Sequence, residues 1–152
     1  MTPSIRNAST HDLAKIQAIA RRTIDACYRS FLGDEGVDWF INSGASDQYL
    51  SDNLDDCRVL EVEGGIIGFS VAKGELIDLM MVDCGAHRHG YGSKLLADCE
   101  RRLFSLHDEL RLESYEGNER ANTFYGKHGW IVRDKAFDED ADTYKLIFVK
   151  TM

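Results

Sequence analysis

Two periodicities divide the chain. Leu13, Ile16, Ile19, Ala20, Thr23 and Ile24 recur at three- and four-residue steps. That spacing gathers apolar side chains on one helical face and predicts a helix running to about Cys27. Ser9 or Thr10 is placed to cap it, and Asp12 favours its N-terminus. Residues 4–9 fit a short first strand, and residues 34–41 and 46–54 read as shorter helical pieces. The period then switches to that of strands. Residues 57–72 are two β-rich runs joined through Gly64-Gly65, a hairpin signal, and residues 74–82 make a third strand. Leu95, Leu96, Cys99, Leu103 and Phe104 share one face of a helix over residues 90–106. A strand follows at 109–115, then a helix from Asn118 to about Gly129. Two closing strands flank the acidic loop 138–142. The order β, α, α, β, β, β, α, β, α, β, β predicts a mixed α/β sandwich.

Composition narrows the setting. A chain of 152 residues suits one domain, and nothing resembling a linker or repeat interrupts it, so residues 1–152 are expected to form a single unit. With 43% hydrophobic and 29% charged residues it reads as soluble and globular. No apolar run reaches the ~18 residues of a membrane span, and the first residues lack a secretory apolar core. A cytoplasmic location and no membrane contact are therefore expected. Cys27, Cys57, Cys84 and Cys99 have neither CxxC nor zinc-ligand spacing, so they read as free thiols in a reducing compartment. His11, His87, His89, His107 and His128 show no ligand spacing either. They read as surface residues, and no metal is expected. A net charge of −8 argues against a nucleic-acid partner and suits a cationic small molecule or peptide.

The stretch AHRHGYGSKLL, residues 86–96, joins the third strand to the next helix through Gly90-Tyr91-Gly92. A helix start leaves outward amide donors, glycine lets an anion approach them, and Ser93 adds a hydroxyl. For a lone GxG, a tight strand-to-helix turn without a ligand is the commoner explanation. The dinucleotide fingerprint fails because Leu95 stands where GxGxxG needs its third glycine. No GxxxxGK[ST] occurs.

Downstream, Asn118, Ala121, Phe124, Tyr125, Lys127, Gly129 and Trp130 spell NxxAxxFYxKxGW. Together with LIDLMMV and HRHGYGSKLL, this resembles the GNAT superfamily of N-acetyltransferases. The resemblance runs over nearly the whole chain. It departs at His87, where the family has Arg or Gln, and at Cys84, where it has proline. The resemblance implies a GNAT-like acyl-CoA N-acyltransferase fold, with a mixed, mostly antiparallel sheet of about six or seven strands flanked by about four helices. It also implies acetyl-CoA as co-substrate, lying between the strands at 75–82 and 110–115 where they splay. Main-chain groups of Met80, Met81 and Val82 would meet the thioester carbonyl and pantetheine. His87, Arg88, His89, Gly90, Tyr91, Gly92 and Ser93 form the pyrophosphate loop. Asn118 would contact pantetheine or water, or cap its helix. Phe124 joins the cofactor set and also reads as core.

The resemblance puts Tyr125 in the position of the acid that protonates the leaving thiolate. Asp78 interrupts an apolar strand, so it should be paired, exposed in a cleft or working; it is the leading general base, with Glu113 second. Trp39 and Trp130 are expected to anchor the core. Residues 25–57 carry eight carboxylates against Arg29, and the loop FDEDADTY is acidic too. An acidic mouth favours a cationic primary amine: a polyamine, an aminoglycoside-like compound or a lysine-rich peptide. A rival is a non-catalytic module that binds CoA or acyl-CoA and regulates a protein partner. A longer acyl donor, selected near Met80 and Ser114, and a homodimer are also compatible with the resemblance.

Overall fold

The computed structural model describes residues 2–86 and 89–152. Its elements in chain order are β1 (Ser4–Asn7), α1 (Leu13–Cys27), α2 (Arg29–Leu32), α3 (Asp34–Asn42), α4 (Ala45–Asp52), β2 (Cys57–Val62), β3 (Gly65–Lys73), β4 (Leu76–Val82), α5 (Tyr91–Phe104), β5 (Glu109–Tyr115), α6 (Glu119–Lys127), β6 (Ile131–Asp138) and β7 (Thr143–Thr151). The seven strands form one sheet in the order β1-β2-β3-β4-β5-β7-β6. Every pairing is antiparallel except β4 with β5. Among the described residues no helix is long and apolar enough to cross a membrane.

Local chemistry accounts for the elements. The Ser9 amide donates to Asp12 Oδ2 at 2.7 Å, closing a capping box ahead of α1. Arg6 clasps the same carboxylate with both terminal nitrogens, at 2.8 and 3.0 Å. The β2–β3 turn is made by Glu63 and Gly64, both at positive φ (54° and 82°), rather than by Gly64-Gly65. Positive φ at both central residues is what a two-residue hairpin turn requires, and only the second is a glycine here. The helix α2 was not expected. Its Arg29 bridges Asp25, Asp34 and Asp38, so the only base of the acidic segment ties α1 to α3.

Two apolar clusters grip the sheet. Ile16, Ile19 and Ile24 of α1, Val37 and Leu50 pack with Val59, Phe69, Val71 and Met81. Leu96, Cys99 and Leu103 of α5 pack with Ile77, Leu110, Leu112, Trp130 and Phe148. β4 contributes to both, and its phase changes along its length. Val71 pairs with Leu79 while Ala72 pairs with Ile77, which leaves Asp78 as the extra residue of a β-bulge. Strict alternation would put Ile77, Leu79 and Met81 on one face. The bulge sends Ile77 and Met80 to the α5 cluster and Leu79 and Met81 to the α1 cluster.

Trp130 is buried as expected, with its ring N–H on Glu100 Oε2 at 3.2 Å. Trp39 is not a core anchor: it is 64% exposed, because α3 turns Val37 inward instead. All four cysteines are free.

Candidate active site

β4 and β5 pair only at Leu76 with Arg111 and Ile77 with Leu112. Beyond that point they part. The gap opens onto a cavity of about 1280 Å³, lined by β4 and β5, by α1, α3 and α4, by Asn118, Ala121 and Tyr125, and by the β6–β7 loop. Parallel strands need a crossover, and α5 supplies it, starting beyond the C-terminal end of β4.

Asp78, the bulged residue, faces this cavity and is exposed. Oδ2 accepts a hydrogen bond from the Tyr49 hydroxyl of α4. Glu113 lines the same space, with Lys145 Nζ 3.9 Å from its Oε1. Lys145 also reaches Asp138 Oδ2 at 3.5 Å. Tyr125 lines the cavity from α6 with its ring set against Phe148 and Trp130, at centroid distances of 5.7 and 6.4 Å. Its hydroxyl donates no hydrogen bond to another described residue. Burial pushes its ionisation well above the ordinary phenol range, so at neutral pH it is a proton-bearing donor. Burial also pushes Tyr28 up to about 12. Burial and the nearby Asp138 do the same for Tyr115.

The expected residues fall into two groups. Asp78, Met80, Met81, Asn118 and Tyr125 meet at the cavity, and Val82 ends β4 opposite Gly68. Asn118 caps α6, its Oδ1 accepting from the Ala121 amide at 3.4 Å, and lines the cavity as well, so both of its readings hold. His89, Gly90, Tyr91, Gly92, Ser93 and Phe124 gather instead around the start of α5. His87 and Arg88 lie outside the described residues. Gly90 is the helix N-cap at φ 77°, where a side chain is strained. Gly92 packs on α6: a Cβ there would sit 3.4 Å from Phe124 Cζ. The His89 and Tyr91 rings stack at 5.6 Å. The amides of Tyr91, Gly92 and Ser93 precede the first helical bond, from Lys94 to the Gly90 carbonyl, so they have no acceptor within the helix.

Several site residues were not legible as such. Tyr28, Trp39, Phe40, Tyr49 and Tyr115 make the cavity wall aromatic. His128 is not a loose surface residue. Its Nδ1 lies 2.8 Å from the Phe124 carbonyl and its Nε2 3.0 Å from Ser93 Oγ, which joins α6 to the start of α5. In the neutral ring the first contact holds the proton on Nδ1, so Nε2 accepts from Ser93.

The cavity thus opens where β4 and β5 part and faces a carboxylate and a protonated phenol, while the start of α5 presents amides that have no acceptor within the helix. The profile described as an acetyltransferase (GNAT) domain matches residues 53–132, just over half of the chain, and the protein belongs to that family. Peptidyl-lysine N-acetyltransferase YiaC of Escherichia coli (strain K12) is 32% identical over 83 residues. That stretch is 54% of this chain and 54% of YiaC, so the match spans about half of this curated relative. Among solved structures, the GCN5-related N-acetyltransferase of Rhodopseudomonas palustris superposes with a TM-score of 0.86 at 17% identity, covering 100% of this chain and 97% of that one. PaiA N-acetyltransferase of Thermoplasma acidophilum, in complex with coenzyme A, gives 0.84 at 20% identity with both chains covered in full. At these identities the two structures establish the fold, including its seven-stranded mixed sheet. Among the described residues the α-helices number six rather than about four, because the 29–52 segment breaks into three short ones.

Proposed function

We propose that the protein transfers the acetyl group of acetyl-CoA to a cationic primary amine by direct attack in a ternary complex. The parting of β4 from β5 at the Asp78 bulge carries this reading, because it exposes strand edge beside both candidate proton-transfer groups. The thioester lies in that gap, its carbonyl oxygen against main-chain N–H groups of Met80 to Val82, where donors fixed in place stabilise the developing oxyanion. The pyrophosphate meets the α5 amides at Tyr91, Gly92 and Ser93. Asp78 takes a proton from the acceptor ammonium, with Glu113 second because Lys145 neutralises it. Tyr125 holds its proton more tightly than a thiol does. It therefore acts by donating a hydrogen bond to the leaving sulfur, which receives its final proton from the amine.

The acceptor's charge follows from the lining. Asp34, Glu35, Asp78, Glu113, Asp138, Asp140 and Asp142 face the cavity against Lys145 among the described residues. A carboxylate ~4 Å from an ammonium is worth about 4 kcal/mol of attraction at an effective dielectric of ~20, before desolvation. Aromatic faces at Trp39 and Tyr49 add cation–π attraction. The names of YiaC and of the PaiA–coenzyme A complex agree with an amine acceptor and a CoA donor.

Calorimetric titration with acetyl-CoA, beside a thiol-release assay over a panel of diamines and lysine peptides, tests the reading. Micromolar binding that weakens when phosphates are removed from CoA supports it. Gly90→Glu should abolish that binding through strain and charge at the phosphates. Binding without acetylation of any amine would turn the reading toward a regulatory CoA-binding module.

A further inference from the structure

Asp78 is held from across the cavity. The bulge takes it out of the β3–β4 register, so its carboxylate is directed by side-chain contacts rather than by the ladder. The Tyr49 hydroxyl donates to Oδ2. Among the described residues no lysine or arginine pairs with Asp78, and the cavity's lysine, Lys145, is taken by Glu113 and Asp138. Oδ1 is left without a protein partner in the described set.

Tyr49 is itself anchored. Its ring packs against the α1-side core, and the Asn53 side-chain amide donates to its carbonyl at 2.8 Å. Two contacts fasten α4 to α1: Gln17 Nε2 on the Asp47 carbonyl at 3.0 Å, and Arg21 on Asp47 Oδ1 at 2.5 Å. Burial, and then the hydrogen bond to Asp78, push the Tyr49 phenol far above its ordinary range. The phenol thus keeps its proton at working pH and serves as a fixed donor, never as the base.

We infer that Tyr49 is a positioning residue for the acceptor amine: by engaging Oδ2 of Asp78 it aims Oδ1 at the ammonium that enters beside the thioester. The inference rests on the transfer reading above. In the step it serves, the ammonium N–H breaks as an O–H forms on Oδ1, and the freed amine attacks the carbonyl carbon. The C–N bond forms and the C–S bond breaks. A second N–H proton goes to the thiolate, and Asp78 returns its own proton to water.

Tyr49→Phe keeps the ring and its packing and removes only the donor, leaving the carboxylate free to rotate. Misaiming of that kind costs about 10- to 100-fold in kcat. The experiment measures thiol release from acetyl-CoA with 1,4-diaminobutane as the probe amine, in wild type, Y49F, D78N and the double variant. Expected for Y49F is a kcat lowered by about 10- to 100-fold, with KM for acetyl-CoA and Tm unchanged, and no further loss when Y49F is added to D78N. A wild-type kcat in Y49F, or the same fold-loss in the D78N background, overturns the positioning role while leaving the transferase reading intact. No thiol release from wild type with this amine or with a lysine peptide overturns both.

Discussion

Gly68→Ala tests how closely β3 supports the edge that β4 offers to the cofactor. Gly68 pairs with Val82. A Cβ at position 68 would lie 2.9 Å from the Met81 carbonyl oxygen, 3.1 Å from Leu95 Cδ1 and 3.4 Å from Val82 Cα. Leu95 can rotate away from the new methyl. The carbonyl cannot, because it belongs to the β4 backbone, so the strand must shift by several tenths of an ångström. Overpacking of this kind costs about 1–3 kcal/mol. The lower chain entropy of alanine in the unfolded state returns about 0.4–1 kcal/mol. A net loss of about 1–2 kcal/mol lowers Tm by about 2–8 °C in a domain of this size. Acetyl-CoA affinity should fall as well, since the displaced groups are those of Met81 and Val82. Gly65→Ala is the control, because its Cβ would come no closer than 3.6 Å to the Val62 carbonyl. Thermal unfolding followed by circular dichroism, with calorimetric titration of acetyl-CoA, reads both effects. A Gly68→Ala protein as stable as Gly65→Ala, with wild-type affinity, would refute the claim that β3 sets the position of the β4 edge.

Three further outcomes follow from the same structure. Tyr125→Phe should lower turnover at least about tenfold and spare CoA affinity; an unchanged kcat with chemistry limiting would remove Tyr125 from the leaving-group step. Asp98 is 1% exposed and accepts from Arg58, Arg101 and Arg102, so Asp98→Ala leaves the half-buried Arg58 with only the Asn7 and Ile5 oxygens and should cost about 1.5–3 kcal/mol in urea unfolding. Arg101→Ala at the exposed end of that cluster should cost under about 1 kcal/mol, and equal losses would contradict the burial argument. Arg6 holds the Asp12 carboxyl well below the usual carboxylate range. That stabilisation is complete above the unfolded value near ~3.9 and disappears as pH falls through the depressed folded one. The stability gap between wild type and Asp12→Asn should therefore be widest near neutrality and narrow below about pH 4, and a gap that does not vary with pH would count against it.

Much of this was legible in the chain because it depends on local spacing. The helical face from Leu13 to Ile24, the glycine stretch and NxxAxxFYxKxGW all lie within a few turns of themselves. The polar interruption at Asp78 also stood out. What it meant did not, because a bulge is defined against a partner strand: only the pairing of Val71 with Leu79 and Ala72 with Ile77 reveals it. Tyr49 was invisible for a related reason. It meets Asp78 across 29 residues, and nothing in ASDQYLSD distinguishes that tyrosine from an ordinary packing residue. Ser93 and His128 meet across 35. Trp39 was misread because a large apolar side chain suggests core, whereas a ligand-sized cavity needs such side chains on its wall.

One topological feature explains both the cavity and the donors beside it. An antiparallel neighbour for β4 could have been reached by a tight turn, keeping the ladder closed. The parallel pairing with β5 requires a crossover, and α5 is that crossover, so its N-terminal amides must start near the end of β4. The same pairing holds for only two residues before the strands separate. The two glycines then have different causes. Gly90 answers a backbone at φ 77°, and Gly92 answers the 3.4 Å approach of Phe124. Neither requirement depends on a phosphate. Gly90→Ala should thus lower stability even without CoA, by about 1 kcal/mol for a left-handed position, whereas Gly90→Glu should add a loss of CoA binding out of proportion to that cost. If both variants lose binding equally, strain alone explains the effect and the phosphate has no special claim on that loop.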